Sequence, residues 1–183
     1  LTRCLIVASC RASTTIIHAR SQSRLSSRRL RISAAFFPLF MTGYVIADLL
    51  LDNDWFGVQQ VVIGLGSSKT DFSTAAFIRA AGFGGATVGL TSDQNVAFSE
   101  SLDCYDRVVS YSDVESIANE PSAYIDIAGD VSVRSRLHHS LQNNAAHTLL
   151  VGATHWDQFG QSMGGLPLSG SEPRTFRAGT NEK

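Results

Sequence analysis

Val61-Val62-Ile63-Gly64-Leu65-Gly66-Ser67-Ser68-Lys69-Thr70 decides the fold of this chain. Val61, Val62 and Ile63 form the β-branched run that suits a parallel strand covered on both faces. Gly64 and Gly66 let the backbone turn where a Cβ would clash, and the hydroxyl residues after them open a helix. Beyond the turn, Phe72, Ala75, Ala76, Ile78 and Ala80 recur at helical spacing, and Ala81-Gly82 supplies a stop. The stretch therefore reads as strand, tight turn and helix. Helix amides left over at Ser68, Lys69 and Thr70 can take an anion, for which phosphate is the obvious guest.

The turn fits the glycine fingerprint of dinucleotide sites in two registers. Counting from Gly64 puts Gly64, Gly66 and Lys69 at its three positions, and the third glycine is missing. Counting back from the helix end puts Gly66, Ser68 and Asp71 there, which gives the helix its usual length and is preferred. Asp71 then stands where the fingerprint has Gly or Ala, and its carboxylate would repel a pyrophosphate unless Lys69 offsets it. A plainer reading stands beside both, because any α/β protein needs small residues where a strand meets a helix.

Outward from this unit, strands and helices alternate. Upstream, Thr42 to Asp52 spaces Tyr44, Val45, Ala47 and Leu49 to Leu51 as a helix, with Thr42 as its N-cap. Downstream, Ala86 to Leu90, Arg107 to Ser110, Tyr124 to Ala128 and Thr148 to Val151 read as further strands. Between them, helical patterns cover Gln94 to Leu102, Val114 to Asn119 and Val131 to Gln142. Five strands alternating with helices predict an α/β chain with one parallel sheet, helices on both faces and strand ends gathered on one rim. The rim residues are then the glycine turn, Thr91-Ser92, Ala128-Gly129 and Gly152-Ala153-Thr154-His155.

The chain has 183 residues and 44% hydrophobic composition, enough for one core. Its net charge of −1 conceals an uneven distribution: residues 1–40 carry seven Arg and no acid, while residues 41–167 carry five basic and fourteen acidic side chains. Composition accordingly divides the chain into a Ser/Arg-rich leader (1–35), a globular domain (36–167) and a patternless tail expected to be disordered (168–183). The leader has the composition of a mitochondrial transit peptide, but it also reads as an unstructured segment foreign to the domain. As a nucleic-acid arm it lacks interleaved aromatics, so no nucleic-acid partner is expected. Asp48 interrupts the longest apolar run, so no membrane span is expected and the body reads as cytoplasmic. Cys4, Cys10 and Cys104 are odd in number and lack metal-ligand spacing, so neither a disulfide framework nor a metal site is predicted.

Taken together, these pieces resemble the cofactor domain of the medium-chain dehydrogenase/reductases, in particular the zinc-free quinone-oxidoreductase-like branch. The resemblance rests on the order of parts: the Met41 to Leu51 helix, Val61-Val62-Ile63 and its turn, Ala80-Ala81-Gly82, Val88 to Ser92, Leu102 to Val109, Ile125 to Gly129 and Leu149 to Ala153. Ser67-Ser68-Lys69-Thr70, with Pro38-Leu39-Phe40 upstream, is similar to an uncharacterised domain-of-unknown-function branch of that superfamily. The resemblance implies a Rossmann-like parallel sheet, truncated, whose cofactor-binding residues are Gly64, Gly66, Ser67, Ser68, Lys69, Thr70, Thr91, Ser92, Ala128, Gly129, Gly152 and Ala153. It also implies an NAD(P)-dependent hydride transfer to a small carbonyl or alkene. Thr91-Ser92, where an acid would bind the ribose of NAD, tilt the choice towards NADP(H) over NAD(H), although Asp93 opposes the tilt. A full member carries an additional catalytic domain, so the sequence is read as a fragment with no nameable catalytic residue.

Other chemistry fits less well. Lys69-Thr70 and Asp126 imitate a phosphoryl-transfer site, but Ser68 stands where the loop motif needs Gly and the loop is too short. His138, His139, His147 and His155 lack ligand spacing, and the stretch His155-Trp156-Asp157 is the best histidine-bearing candidate for touching a ligand. A non-catalytic module that binds a nucleotide or packs on a partner remains the alternative. An incomplete sheet would expose apolar surface, so a homo-oligomer is expected.

Overall fold

In the computed structural model, β1 (Gln60–Gly64) lies between β2 (Ala86–Thr91) and β4 (Ser122–Asp126). The structure describes the backbone of residues 27–151 and 174–175 and the side chains of residues 36–151. β3 (Arg107–Ser110) extends the sheet beyond β2, and β5 (Ala145–Leu150) and β6 (Arg174–Thr175) extend it beyond β4. The order is β3-β2-β1-β4-β5-β6 and every pairing is parallel. This is the order of a dinucleotide-type α/β sheet, in which the direction of winding reverses between β1 and β4.

The sequence produces this arrangement through the two-residue period of a strand. Val61 and Ile63 point to one face, where they meet Ile46 and Leu50 of α1 (Ser27–Asp52) and Ala75 and Ile78 of α2 (Lys69–Ala80). Val62 points to the other face, where it meets Val133, Leu137 and Leu141 of α4 (Val131–Leu141). All five residues of β1 are buried, which is why its run is apolar on both sides. Each large aliphatic side chain in these two layers contributes about 1.5–3 kcal/mol by leaving water. A shorter helix, α3 (Val96–Ser101), follows a 3-10 turn at Asp93–Asn95 and connects β2 to β3.

Several elements differ from the sequence reading. α1 begins at Ser27, inside the stretch that composition assigned to the leader, and continues through Pro38. Thr42 is therefore interior to the helix and not its cap; its hydroxyl donates to the Pro38 carbonyl at 2.9 Å. β4 and β5 begin at Ser122 and Ala145, two and three residues before the expected starts. The polar Ser122 is nevertheless buried, because its hydroxyl accepts from Gln60 at 2.8 Å. The short helix expected at Val114 to Asn119 is a 3-10 segment at Tyr111–Ser116. Arg174–Thr175 pair with Leu149–Leu150 as a sixth strand, so the tail supplies sheet where no strand was expected. Cys104 is buried in the core, its sulfur 3.3 Å from the Leu102 carbonyl oxygen. Among the described residues, no helix is long and apolar enough to cross a membrane.

Candidate functional site

The C-terminal ends of β1, β2 and β4 share one rim, and the β1–α2 turn stands at its centre. Leu65 leaves the strand with φ +76°, a left-handed conformation, and Gly66 returns to the sheet by donating its amide to the Leu90 carbonyl at 2.9 Å. Both glycines are fixed by close approach. A Cβ on Gly66 would lie 3.2 Å from the Cα of Gly89, and one on Gly64 would lie 2.8 Å from the Tyr124 hydroxyl. Gly66 thus lies against the sheet, and Ser68 stands at the start of α2.

Ser68 caps α2 in a reciprocal box: its hydroxyl accepts from the Asp71 amide and its own amide donates to the Asp71 carboxylate at 3.3 Å. The Ser68 amide also reaches the Leu65 carbonyl at 2.8 Å. The Ser68 amide is therefore engaged within the turn, whereas its hydroxyl, which accepts from the Asp71 amide, keeps its own proton to donate. Among the described residues, the amides of Ser67, Lys69 and Thr70 make no hydrogen bond, and they are the donors left to a ligand. The Lys69 ammonium lies 5.4 Å from the centre of the Phe36 ring, over α1.

Asp71 is fully buried, and one carboxylate oxygen has no partner among the described residues. Burial pushes its pKa well above the usual carboxylate range, against the hydrogen bonds from Ser68 that hold it down. Three tyrosines surround the turn. Tyr111, hydrogen-bonded to the Leu65 backbone, is pushed up to about 12 by burial and then by the charge of Asp71. Burial likewise raises Tyr105 and Tyr124, with Asp71 and Asp126 respectively adding to it. No motif announced Tyr111; only its position after β3, on the same rim, connects it to the turn.

At the end of β2, Thr91 is buried, and Ser92 stands half-buried on the rim with its hydroxyl accepting from Asn95 at 2.9 Å. Asp93 is engaged by two hydroxyls, those of Ser110 and Ser112, the latter at 2.7 Å. At the end of β4, Ala128 is buried and Gly129 takes φ +72°. Asp126 accepts the Gly129 amide at 2.7 Å and the Arg134 guanidinium at 3.0 Å, both inside the protein. Asp126 is thereby committed to its own turn, not placed as the metal-binding acid of a phosphoryl-transfer site. Asp130 caps α4 by accepting from Ser132 and Val133. The Val151 amide reaches the Asp126 carbonyl at 2.9 Å, which brings the end of β5 beside that of β4. Gly152, Ala153 and His155-Trp156-Asp157 lie outside the described residues. His138 is a core residue bonded to Thr148 at 2.9 Å, and the His147 ring stacks on Phe56 at 3.8 Å.

An open groove of about 630 Å³ lies among Asp54, Trp55, Phe83, Gly85 and Glu120, beside the starts of β1, β2 and β4. It is at the opposite end of the strands from the rim and shares no residue with it.

Residues 14–179 match the model of a family described as "Protein of unknown function (DUF2855)", and the chain belongs to that family. The match runs through residues 14–35 and 168–179, which composition had set apart from the domain. Among solved structures, the chain is similar to a cobalt- and zinc-bound thermostable alcohol dehydrogenase from Pyrobaculum aerophilum, at 16% identity and a TM-score of 0.38. That similarity covers 52% of this chain and 27% of the dehydrogenase, so the chain spans about a quarter of the length of that protein. No curated protein sequence matches.

Proposed function

We propose that the rim binds a dinucleotide, with NADP(H) favoured over NAD(H), as the cofactor domain of a zinc-independent oxidoreductase. The observation that carries this reading is the set of unengaged amides at Ser67, Lys69 and Thr70, on a helix N-terminus at the point where the sheet reverses its winding. Gly66 supports it, because its bare α-carbon leaves the backbone close to the sheet where a side chain would stand in the way.

In this reading, the Ser67, Lys69 and Thr70 amides hold the pyrophosphate, and the Lys69 ammonium swings from the Phe36 ring to neutralise it. Ser92 faces the adenosine ribose. Ser110 and Ser112 donate to the Asp93 carboxylate and hold it in place, and its charge counts against the 2′-phosphate that Thr91 and Ser92 favour. Ala128, Gly129, Gly152 and Ala153 form the small-residue approach to the nicotinamide side. The cofactor supplies a hydride, and the substrate is a small carbonyl or activated alkene. The protein's own contribution is to bind and orient, which supplies much of the rate in such transfers.

Titration of NADPH and of NADH into the full chain, followed by nicotinamide fluorescence and thermal midpoint, tests this reading. Saturable NADPH binding with a raised midpoint, weaker for NADH, is the expected result. A chain that melts cooperatively and binds neither would mean that the glycine turn is fold geometry alone.

A further inference from the structure

The groove at the starts of β1, β2 and β4 is lined unevenly. Trp55 and Phe83 give it an aromatic wall, their ring centres 4.8 Å apart and their planes at 39°. Both pack against the core, and both stay partly exposed. The ionisable side chains of the lining are Asp54 and the half-buried Glu120, and no Lys, Arg or His stands among them. Among the described residues, neither carboxylate makes a hydrogen bond or an ion pair. Two uncompensated carboxylates beside an apolar wall concentrate a negative field in the groove.

The backbone that carries this wall is strained. Asp54, Trp55 and Phe56 take φ +50°, +55° and +53°, and Gly57 follows at +67°. Left-handed residues in succession are a conformation that L-side chains resist, and it persists where the surroundings hold it. Here Trp55 lies against Phe83, and Phe56 stacks on His147 of β5 at 3.8 Å. The turn thereby sets an acid and an indole in succession on the lining of the groove. Strain of this kind clusters at ligand clamps.

We propose that this groove binds a small organic cation, an alkylated ammonium on an apolar body. Its charge lies over the Trp55 ring and against the Asp54 and Glu120 carboxylates, and its body lies on Phe83. An indole face is the strongest aromatic seat for a cation, and an alkylated ammonium gives up little hydration to occupy one. A hard metal cation would need about six or more oxygen ligands, and among the described residues no three metal-ligating side chains converge. An anion would meet both carboxylates. The volume of about 630 Å³ suits a guest larger than the ammonium group alone, which is why an apolar body is assigned to it. The groove shares no residue with the rim, so the proposal does not depend on the dinucleotide.

Benzyltrimethylammonium is the probe, titrated into the full chain at constant ionic strength and followed by the Trp55 indole N–H in heteronuclear NMR spectra. A saturable shift with a Kd of about 1 mM or below is expected. Benzyl alcohol, which keeps the ring and lacks the charge, is expected to bind at least about tenfold more weakly. Gly84→Leu is expected to abolish the shift: Gly84 lines the groove, its backbone is not left-handed, and a Cβ there would meet nothing within 4 Å. Asp54→Asn with Glu120→Gln keeps the shape, and Asn accepts a left-handed backbone. This double variant is expected to melt as the parent does and to bind the probe about tenfold more weakly. No saturation up to about 20 mM would overturn the proposal, whether residues 1–26, residues 152–173 or a different protein fills the groove. Equal affinity for benzyl alcohol, a comparison that needs no variant to fold, would overturn it by showing an apolar patch alone. A double variant that binds as the parent does would overturn it as well.

Discussion

Two strand-to-helix turns stand side by side on the rim, and they spend their backbone donors differently. The β4–α4 turn is closed: the Gly129, Ser132 and Val133 amides are all taken by Asp126 and Asp130, and Arg134 ties Asp126 down from the helix. The β1–α2 turn is open: one amide is taken by Asp71, and those of Ser67, Lys69 and Thr70 remain. The left-handed residue is Gly129 in the closed turn and Leu65 in the open one. The β4–α4 turn leaves the Asp130 and Val131 amides without a hydrogen bond among the described residues, but it sets two carboxylates, Asp126 and Asp130, beside them, so an anion would meet less repulsion at the β1–α2 turn.

The closed turn breaks most severely at its ion pair. Arg134→Met leaves the Asp126 carboxylate buried with only the Gly129 amide, and it is expected to cost about 3–5 kcal/mol in a denaturant melt. A loss below about 1 kcal/mol would show that the pair does not hold the turn.

In the open turn the expected change has the opposite sign. The folded chain holds the Asp71 proton more tightly than the unfolded chain does. Stability linked to this group is therefore fully present below the ordinary carboxylate range and falls as pH rises through the raised folded value. Asp71→Asn keeps the cap acceptor and removes the charge. It is expected to be more stable than the parent at pH 7 by on the order of 1 kcal/mol, with the two melting curves converging towards pH 4. A variant less stable than the parent at pH 7 would mean that the carboxylate is a net asset to the turn.

Smaller changes sharpen the contrast. Asp130→Ala removes the α4 cap and is expected to cost about 1 kcal/mol while leaving NADPH affinity unchanged, because no open donor is touched. A changed affinity would show that the α4 cap orients the Ala128-Gly129 approach to the nicotinamide side. The smallest effect is expected at Leu65, where a left-handed backbone costs an L-residue about 1–2 kcal/mol and glycine returns about half of that gain through chain entropy. Leu65→Gly is thus expected to stabilise by about 0.5 kcal/mol, and a net loss would show that the Leu65 side chain holds the turn by its packing.

The closed and open turns were also unequally legible in the sequence. Val61-Val62-Ile63, the turn after it and the helix that follows could be read because a buried strand and a capped helix each leave a local signature. Asp126 and Arg134 could not, since their pairing depends on α4 folding back over the end of β4 and no residue type at that spacing announces it. Ser68 was legible as part of a helix start but not as its cap with a spent amide, because the Asp71 carboxylate that accepts from it was read as a charge facing the ligand. The first half of α1 was hidden by its arginines and serines, which resemble a leader, and β6 by its two-residue length. The Asp93 network depended on β2 and β3 being neighbours, a tertiary fact that strand patterns alone do not contain.

The place of β1 in the strand order also has a kinetic side. Gln60 pairs with Ala86 on one edge and with Ser122 on the other, so the central strand gains its first neighbour soon in the chain and its second only after β2, α3 and β3 have intervened. Such non-local parallel pairing slows folding, since the loop must close before the contact rewards it. During synthesis, the apolar edge of β1 that will receive β4 stays uncovered until Ser122–Asp126 has emerged. The strand that organises the finished sheet is thus the one most exposed to mispairing while the chain is being made.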